Sequence, residues 1–162
     1  MAIPAPYIAP QQHVQDGWID YNGHMNVGYY GVAFDLGFDP FLEAMGLTHE
    51  YRDREMVSTF TVESHITYQA ELMRGEAFRV ETQVVGYDAK RVHIFQRMIK
   101  ASDGALSATV EWMVLHMDMK TRRVAPWRPE ALNNIQSWYR AHKELGEPAE
   151  LNRVIGIKNS LD

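Results

Sequence analysis

Along the middle of this chain, from Thr59 to Val114, apolar residues recur at every second position, and this period limits the fold more than any other feature. Phe60, Val62, Ile66 and Tyr68 alternate with Thr59, Thr61, Glu63, His65 and Thr67, with Ser64 the exception. Phe78, Val80 and Val84 alternate with Arg79, Glu81 and Gln83. Leu106, Ala108, Val110, Trp112 and Val114 repeat the pattern, with Glu111 on the other face, and residues 91–100 make a noisier strand. Strands with one apolar and one wet face belong to antiparallel sheets. Gly75, Asp88-Ala89-Lys90 and Asp103-Gly104 fall between the runs, as hairpin connections would, so a meander of about four strands is expected.

Ahead of the strands the period is helical. Asn26 can cap a helix from Val27 to about Phe38. Tyr29, Tyr30, Val32, Ala33, Phe34 and Leu36 cover more than one stripe of it, which predicts burial on most sides. Asp39-Pro40 reads as the cap and first residue of a second, short helix stopped by Gly46. Residues 47–56 are charged and read as a loop. Residues 1–10, with Pro4, Pro6 and Pro10, read as an extended arm, and 11–19 as a short strand. Pro126 and Pro129 close the sheet. Pro129 to about Leu145 then reads as an amphipathic helix carrying Leu132, Ile135, Trp138, Tyr139 and His142, ended by Glu147-Pro148. A weakly specified tail follows. One sheet covers only part of a helix and leaves strand edges open, so a second copy is expected, as a homodimer or homotetramer.

The 162 residues suit one domain, expected over 1–162. A net charge of -5 argues against nucleic acid and anionic membrane as partners. No segment is apolar for long enough to span a bilayer. Cysteine is absent, which excludes disulfides and thiolate metal sites and suits a reducing cytoplasm. The first residues carry no basic region and no apolar run, so no signal peptide is expected.

The chemistry concentrates in Asp20-Tyr21-Asn22-Gly23-His24-Met25-Asn26. A carboxylate beside a glycine turn and a helix N-terminus is equipped to attack a carbonyl. The carboxylate activates water or attacks directly, and the first free N–H groups of the helix, near Val27 and Gly28, hold the developing oxyanion. His24 either acts as a base or orients the turn, and orientation is the favoured reading. Asn26 is most simply the cap, and it can also orient the carboxylate. Gly23 supplies a backbone conformation closed to side chains. Glu63 and His65 share a polar strand face and are read as solvated rather than catalytic. The histidines show no metal spacing, no Gly-x-Ser-x-Gly elbow or phosphate loop occurs, and no cofactor is called for.

Asp20-x-x-Gly23-His24-Met25-Asn26, followed by Tyr29-Tyr30, resembles the acyl-CoA thioesterases of the 4-hydroxybenzoyl-CoA thioesterase type. The order of elements over about 11–118 supports the resemblance and leaves 119–162 as a C-terminal extension. It implies an α+β hotdog fold, an antiparallel sheet wrapped around a long central helix, plus a C-terminal helix. It also implies Asp20 as the catalytic carboxylate and a helix-start amide as the group polarising the thioester. Many relatives carry a further aspartate where this chain has Trp18, which leaves subfamily and substrate open. The run from Trp18 to Asn26 looks most like thioesterases of carnitine breakdown, which act on betainyl-CoA. Trp18, Tyr21, Tyr30 and Tyr68 then become candidates for an aromatic cage around a quaternary ammonium, with core packing as their ordinary role. An acyl-CoA substrate needs cations, for which Lys90 and Arg91 are the candidates, Arg122, Arg123 and Arg128 following. Two alternatives stay open. One is a 3-hydroxyacyl-thioester dehydratase using His24 with Glu43 or Asp35, and the other is a non-catalytic acyl-CoA-binding module.

Overall fold

A computed structural model describes residues 2–157. The order is β1 (Tyr7–Ile8), β2 (Gln12–His13), α1 (Val27–Ala44), α2 (His49–Glu55), β3 (Val57–Tyr68), β4 (Ala77–Tyr87), β5 (Arg91–Lys100), β6 (Leu106–Asp118), β7 (Arg123–Val124) and α3 (Pro129–Lys143). The strands form one antiparallel sheet ordered β1-β4-β5-β6-β3, with β2 on β4 and β7 on β6. No helix of the described residues is long and apolar enough to cross a membrane.

The alternating runs are strands, but they are not a simple meander. β3 pairs with β6 at the far edge instead of with β4. The connection from Gln69 to Glu76 is therefore a crossover, and Gly75 is not a hairpin residue. The noise in β5 comes from its central position. Val92, Ile94 and Met98 are buried on one face, while Phe95 is buried on the other beneath the Arg97 guanidinium.

The expected break at Asp39-Pro40 is also corrected, because α1 continues through Pro40 for 18 residues. Proline in a helix interior costs about 3 kcal/mol. Burying each of Phe41, Leu42 and Met45 returns about 1.5–3 kcal/mol, so core burial outweighs the lost bond. The helix is not buried on most sides: Val32 and Leu36 lie on a stripe open to solvent, and Val27 is exposed at the first turn. Residues 47–56 hold α2 rather than a loop, because the Thr48 hydroxyl caps it by accepting the Tyr51 N–H and the Tyr51 ring is buried. Of the expected strand over 11–19, only Gln12–His13 joins the sheet, Asp16–Trp18 is a 3-10 turn, and Ile19 makes an isolated bridge. The proline-rich arm contributes β1. The tail is described to residue 157, and the remainder of that expectation lies outside the described residues.

The core has two parts along α1. Tyr30, Ala33 and Phe34 pack with Met25, Leu72, Phe78, Val80, Met98 and Val110. Phe38, Phe41, Leu42 and Met45 pack with Val84, Val92, Ile94 and Val114 and with Ile135 and Trp138 of α3. Between the two, Gly37 meets β4 so closely that a Cβ there would stand 2.8 Å from Val80 Cβ.

His142 of α3 is fully buried and ties three elements together. Its Nδ1 accepts the Val84 N–H at 2.8 Å and its Nε2 donates to the Pro4 carbonyl at 2.9 Å, an arrangement that requires the neutral ring. Burial pushes its pKa down, and burial does the same to His116, which bonds the Ala125 carbonyl. Both rings therefore protonate more readily in the unfolded chain, whose histidines titrate at about 6.5. Their contribution to stability is complete above that value and is lost as pH falls from there towards the lower folded values. The urea midpoint is expected to be flat from pH 8 to about 7 and to drop by about pH 5.5, with a shallower drop in His142→Gln. An equal midpoint at both ends would refute neutral burial.

Candidate active site at the start of the central helix

Residues 18–26 form a tight hairpin that delivers the chain to α1. The Asn26 N–H donates to the Trp18 carbonyl at 2.8 Å, Ile19 bridges Met25, and the Asp20 N–H donates to the His24 carbonyl at 3.0 Å. The Gly23 N–H donates to the Asp20 carbonyl at 3.0 Å and closes the turn. Gly23 has φ +84°, in the left-handed region that favours glycine. Trp18 stacks on Tyr29 with ring centroids 5.7 Å apart, which fixes the hairpin against the first turn of the helix.

The Asp20 carboxylate is largely sheltered. Its Oδ1 accepts the Asn22 N–H at 2.8 Å and lies 4.0 Å from His24 Nδ1. No group among the described residues donates to Oδ2. His24 Nδ1 also lies 3.2 Å from the Met25 carbonyl, a contact that places the proton on Nδ1. The ring is thus held by the hairpin backbone.

At the helix start the two candidate amides differ. Asn26 Oδ1 accepts the Gly28 N–H at 3.0 Å, so that donor is occupied by the cap. The Val27 N–H has no acceptor among the described residues, and Val27 is 60% exposed. Val27 is therefore the amide available for a carbonyl oxygen. It opens on a cleft of about 280 Å³ walled by His24, Met25, Val27, Tyr30, Tyr68 and the Gln69–Glu71 stretch. Asp20 stands behind His24 and is not itself a wall of this cleft within one copy.

The aromatic candidates do not gather into one cage in a single copy. Tyr30 and Tyr68 meet edge to face at 5.1 Å, and burial pushes both phenols up. Trp18 pairs with Tyr29 instead, and Tyr21 at the hairpin tip is 96% exposed. Lys90 ends the turn before β5 and Arg91 begins the strand, beside the C-terminal half of α1 and at the opposite end of the sheet from Asp20. Arg91 is engaged by Asp88, with nitrogen–oxygen distances of 2.6 and 2.7 Å. The dehydratase pairs are not assembled either, since Glu43 caps α2 by accepting the His49 N–H at 2.9 Å and ion-pairs with Arg52 at 3.5 Å. Asp35 follows Val27 by eight residues, about 12 Å along the helix.

The crossover after β3 is what the sequence reading missed. The Met25 N–H donates to the Leu72 carbonyl at 2.8 Å and His24 bridges Met73, so residues 69–73 form one side of the site. A connection of this length, beyond the about 2–5 residues usual for hairpins, was the available signal.

The model of the thioesterase-like superfamily matches residues 14–135. A betainyl-CoA thioesterase of Pseudomonas aeruginosa is 34% identical over 140 residues, covering 86% of this chain and 88% of that protein. An L-carnitine dehydrogenase/betainyl-CoA thioesterase of Agrobacterium fabrum is 39% identical over 125 residues, 77% of this chain but only 25% of that longer protein. A Staphylococcus aureus protein solved in complex with CoA superposes with a TM-score of 0.86 at 29% identity, covering 97% of this chain and 99% of that one. With the hotdog arrangement of its sheet and central helix and with the Asp20 hairpin in place, the chain belongs to the thioesterase-like superfamily.

Proposed function

We propose that this acyl-CoA thioesterase acts on a small cationic acyl-CoA, betainyl-CoA, releasing betaine and coenzyme A. The observation that carries the reading is the pairing, within one hairpin-to-helix unit, of a sheltered Asp20 carboxylate with the acceptor-free Val27 N–H. The Val27 amide takes the thioester carbonyl oxygen as negative charge develops on it. Asp20 either attacks the acyl carbon or takes a proton from an attacking water. The C–S bond then breaks and the CoA thiolate leaves, to be protonated to the thiol; on the direct-attack route water then hydrolyses the Asp20 anhydride, releasing the acid and restoring the carboxylate. His24 and Asn26 hold the turn and the cap that set this geometry.

The names of the relatives support the betainyl group, and so does the aromatic cleft of Tyr30 and Tyr68 beside Val27. Trp18 and Tyr21 join such a site only with a second copy. Lys90 and Arg91 reach CoA phosphates only from a partner, with Arg91 released from Asp88. A homodimer or a homotetramer is supported by the half-exposed Val32 and Leu36 on α1 and by Val62 and Tyr68 on the edge strand β3, an edge and apolar face that a second copy would cover. The same reading treats the chain as one domain working in the cytoplasm, where the absence of cysteine leaves no disulfide to reduce. The test is thiol release from acetyl-, medium-chain, aromatic and betainyl-CoA. Selective release from betainyl-CoA is expected. Equal rates across the panel would remove the substrate assignment, and no release from any would remove the hydrolysis.

A further inference from the structure

The cleft at Val27 has one carboxylate in its wall, Glu71, on the crossover between β3 and β4. Its backbone is held in place at several points. The Ser107 carbonyl accepts the Gln69 and Ala70 N–H groups at 2.8 and 3.1 Å. Lys100 Nζ donates to the Glu71 carbonyl at 3.2 Å, and Leu72 is bonded to Met25. The Glu71 side chain, by contrast, makes no hydrogen bond or ion pair among the described residues. Lys100, whose ammonium bonds the Glu71 carbonyl, is engaged by the Glu76 carboxylate at 2.8 Å, so the Glu71 carboxylate is left without a paired cation among the described residues. Glu71 is close enough for its charge to add to the burial that raises the Tyr30 phenol. Tyr30 and Tyr68 line the same cleft.

A quaternary ammonium has no N–H to donate. Aromatic surface and an uncommitted carboxylate are the groups that favour it over a neutral group of the same shape. We infer that Glu71 is a specificity residue of this enzyme, selecting a cationic acyl group in the cleft walled by Tyr30 and Tyr68. The inference rests on the thioesterase reading above and adds to it a residue that sets charge preference.

The decisive comparison is betainyl-CoA against 3,3-dimethylbutanoyl-CoA, in which carbon replaces the quaternary nitrogen. Wild type is expected to show the higher kcat/KM on the cationic thioester. Glu71→Gln is expected to lower kcat/KM for betainyl-CoA about fivefold and to move the neutral isostere by less than about twofold. Glu71→Lys is expected to widen the loss on betainyl-CoA to about twentyfold, because it replaces attraction by repulsion. Glu71 is exposed, so both variants should keep the wild-type melting point. Equal changes on the two thioesters, or none on betainyl-CoA, would overturn the inference and leave the hydrolase intact. Release of thiol from neither thioester would instead remove the betainyl-CoA assignment and leave hydrolysis of other acyl-CoAs standing. In that case the dissociation constants of the two non-hydrolysable analogues, with CH2 in place of sulfur, decide the matter: Glu71-dependent preference for the cation supports the inference, and equal affinity overturns it.

Discussion

Asp20→Asn is expected to lower kcat for thiol release by about 10²–10⁴-fold while the melting point stays within a degree or two of wild type. Asparagine keeps the carbonyl oxygen that accepts the Asn22 N–H at 2.8 Å, so the turn has no reason to open. The variant removes only the charge and the basicity of the carboxylate. KM should change little, because Asp20 is not a wall of the cleft at Val27. A folded variant with near-wild-type turnover would sink the assignment. Single-turnover hydrolysis in heavy-oxygen water then bears on the two roles of Asp20. Label in its carboxylate marks attack through an anhydride opened at the Asp20 carbon, whereas label only in the released acid marks water attack at the acyl carbon, whether of the thioester or of an anhydride.

Phe41→Ala is expected to cost about 3–5 kcal/mol of stability, the largest loss from any single truncation in this core. Phe41 is fully buried and joins three parts of the chain. Its ring lies 5.6 Å from Tyr7 of the arm, 6.0 Å from Phe38 in the same helix and 5.3 Å from Trp138 of α3. Removing it leaves a cavity that rings held by two helices and a strand cannot fill. The fall in melting temperature should be on the order of 10 °C. Turnover per folded molecule should survive, because Phe41 belongs to the core cluster away from Met25 and Tyr30. Urea unfolding checks the prediction, and a loss under about 1 kcal/mol would refute the view that Phe41 locks the arm and α3 onto α1.

The strands were legible because alternation is a local property of a half-buried sheet. Phe78, Val80 and Val84 can be assigned to one face without knowing what covers it. The order of the strands was not legible. Whether β3 pairs with β4 or β6 depends on where residues 69–76 travel, and alternation reads the same in either case. Pro40 misled for a related reason. Its local cost is visible in the sequence, whereas the burial of Phe41 and Leu42 that outweighs it is a tertiary quantity. Thr48 showed a similar balance, a cap whose helix is worth forming only because Tyr51 finds a buried place.

For the site, the sequence by itself determined the hairpin: Asp20, Gly23 and Asn26 act within a few residues of one another, through turn and cap bonds that local spacing dictates. The same cap decides which amide remains available, since Asn26 takes Gly28 and leaves Val27. Only the tertiary structure decided that Tyr30 meets Tyr68 while Trp18 meets Tyr29, and that Glu71 enters the cleft from the crossover. The close approach at Gly37 belongs with these, because nothing in its own sequence neighbourhood announces Val80. Turns and caps are contacts between near neighbours, which a sequence spells out. Cleft walls, ring contacts and helix–sheet spacing join residues far apart in the chain, and their geometry exists only once the core has packed.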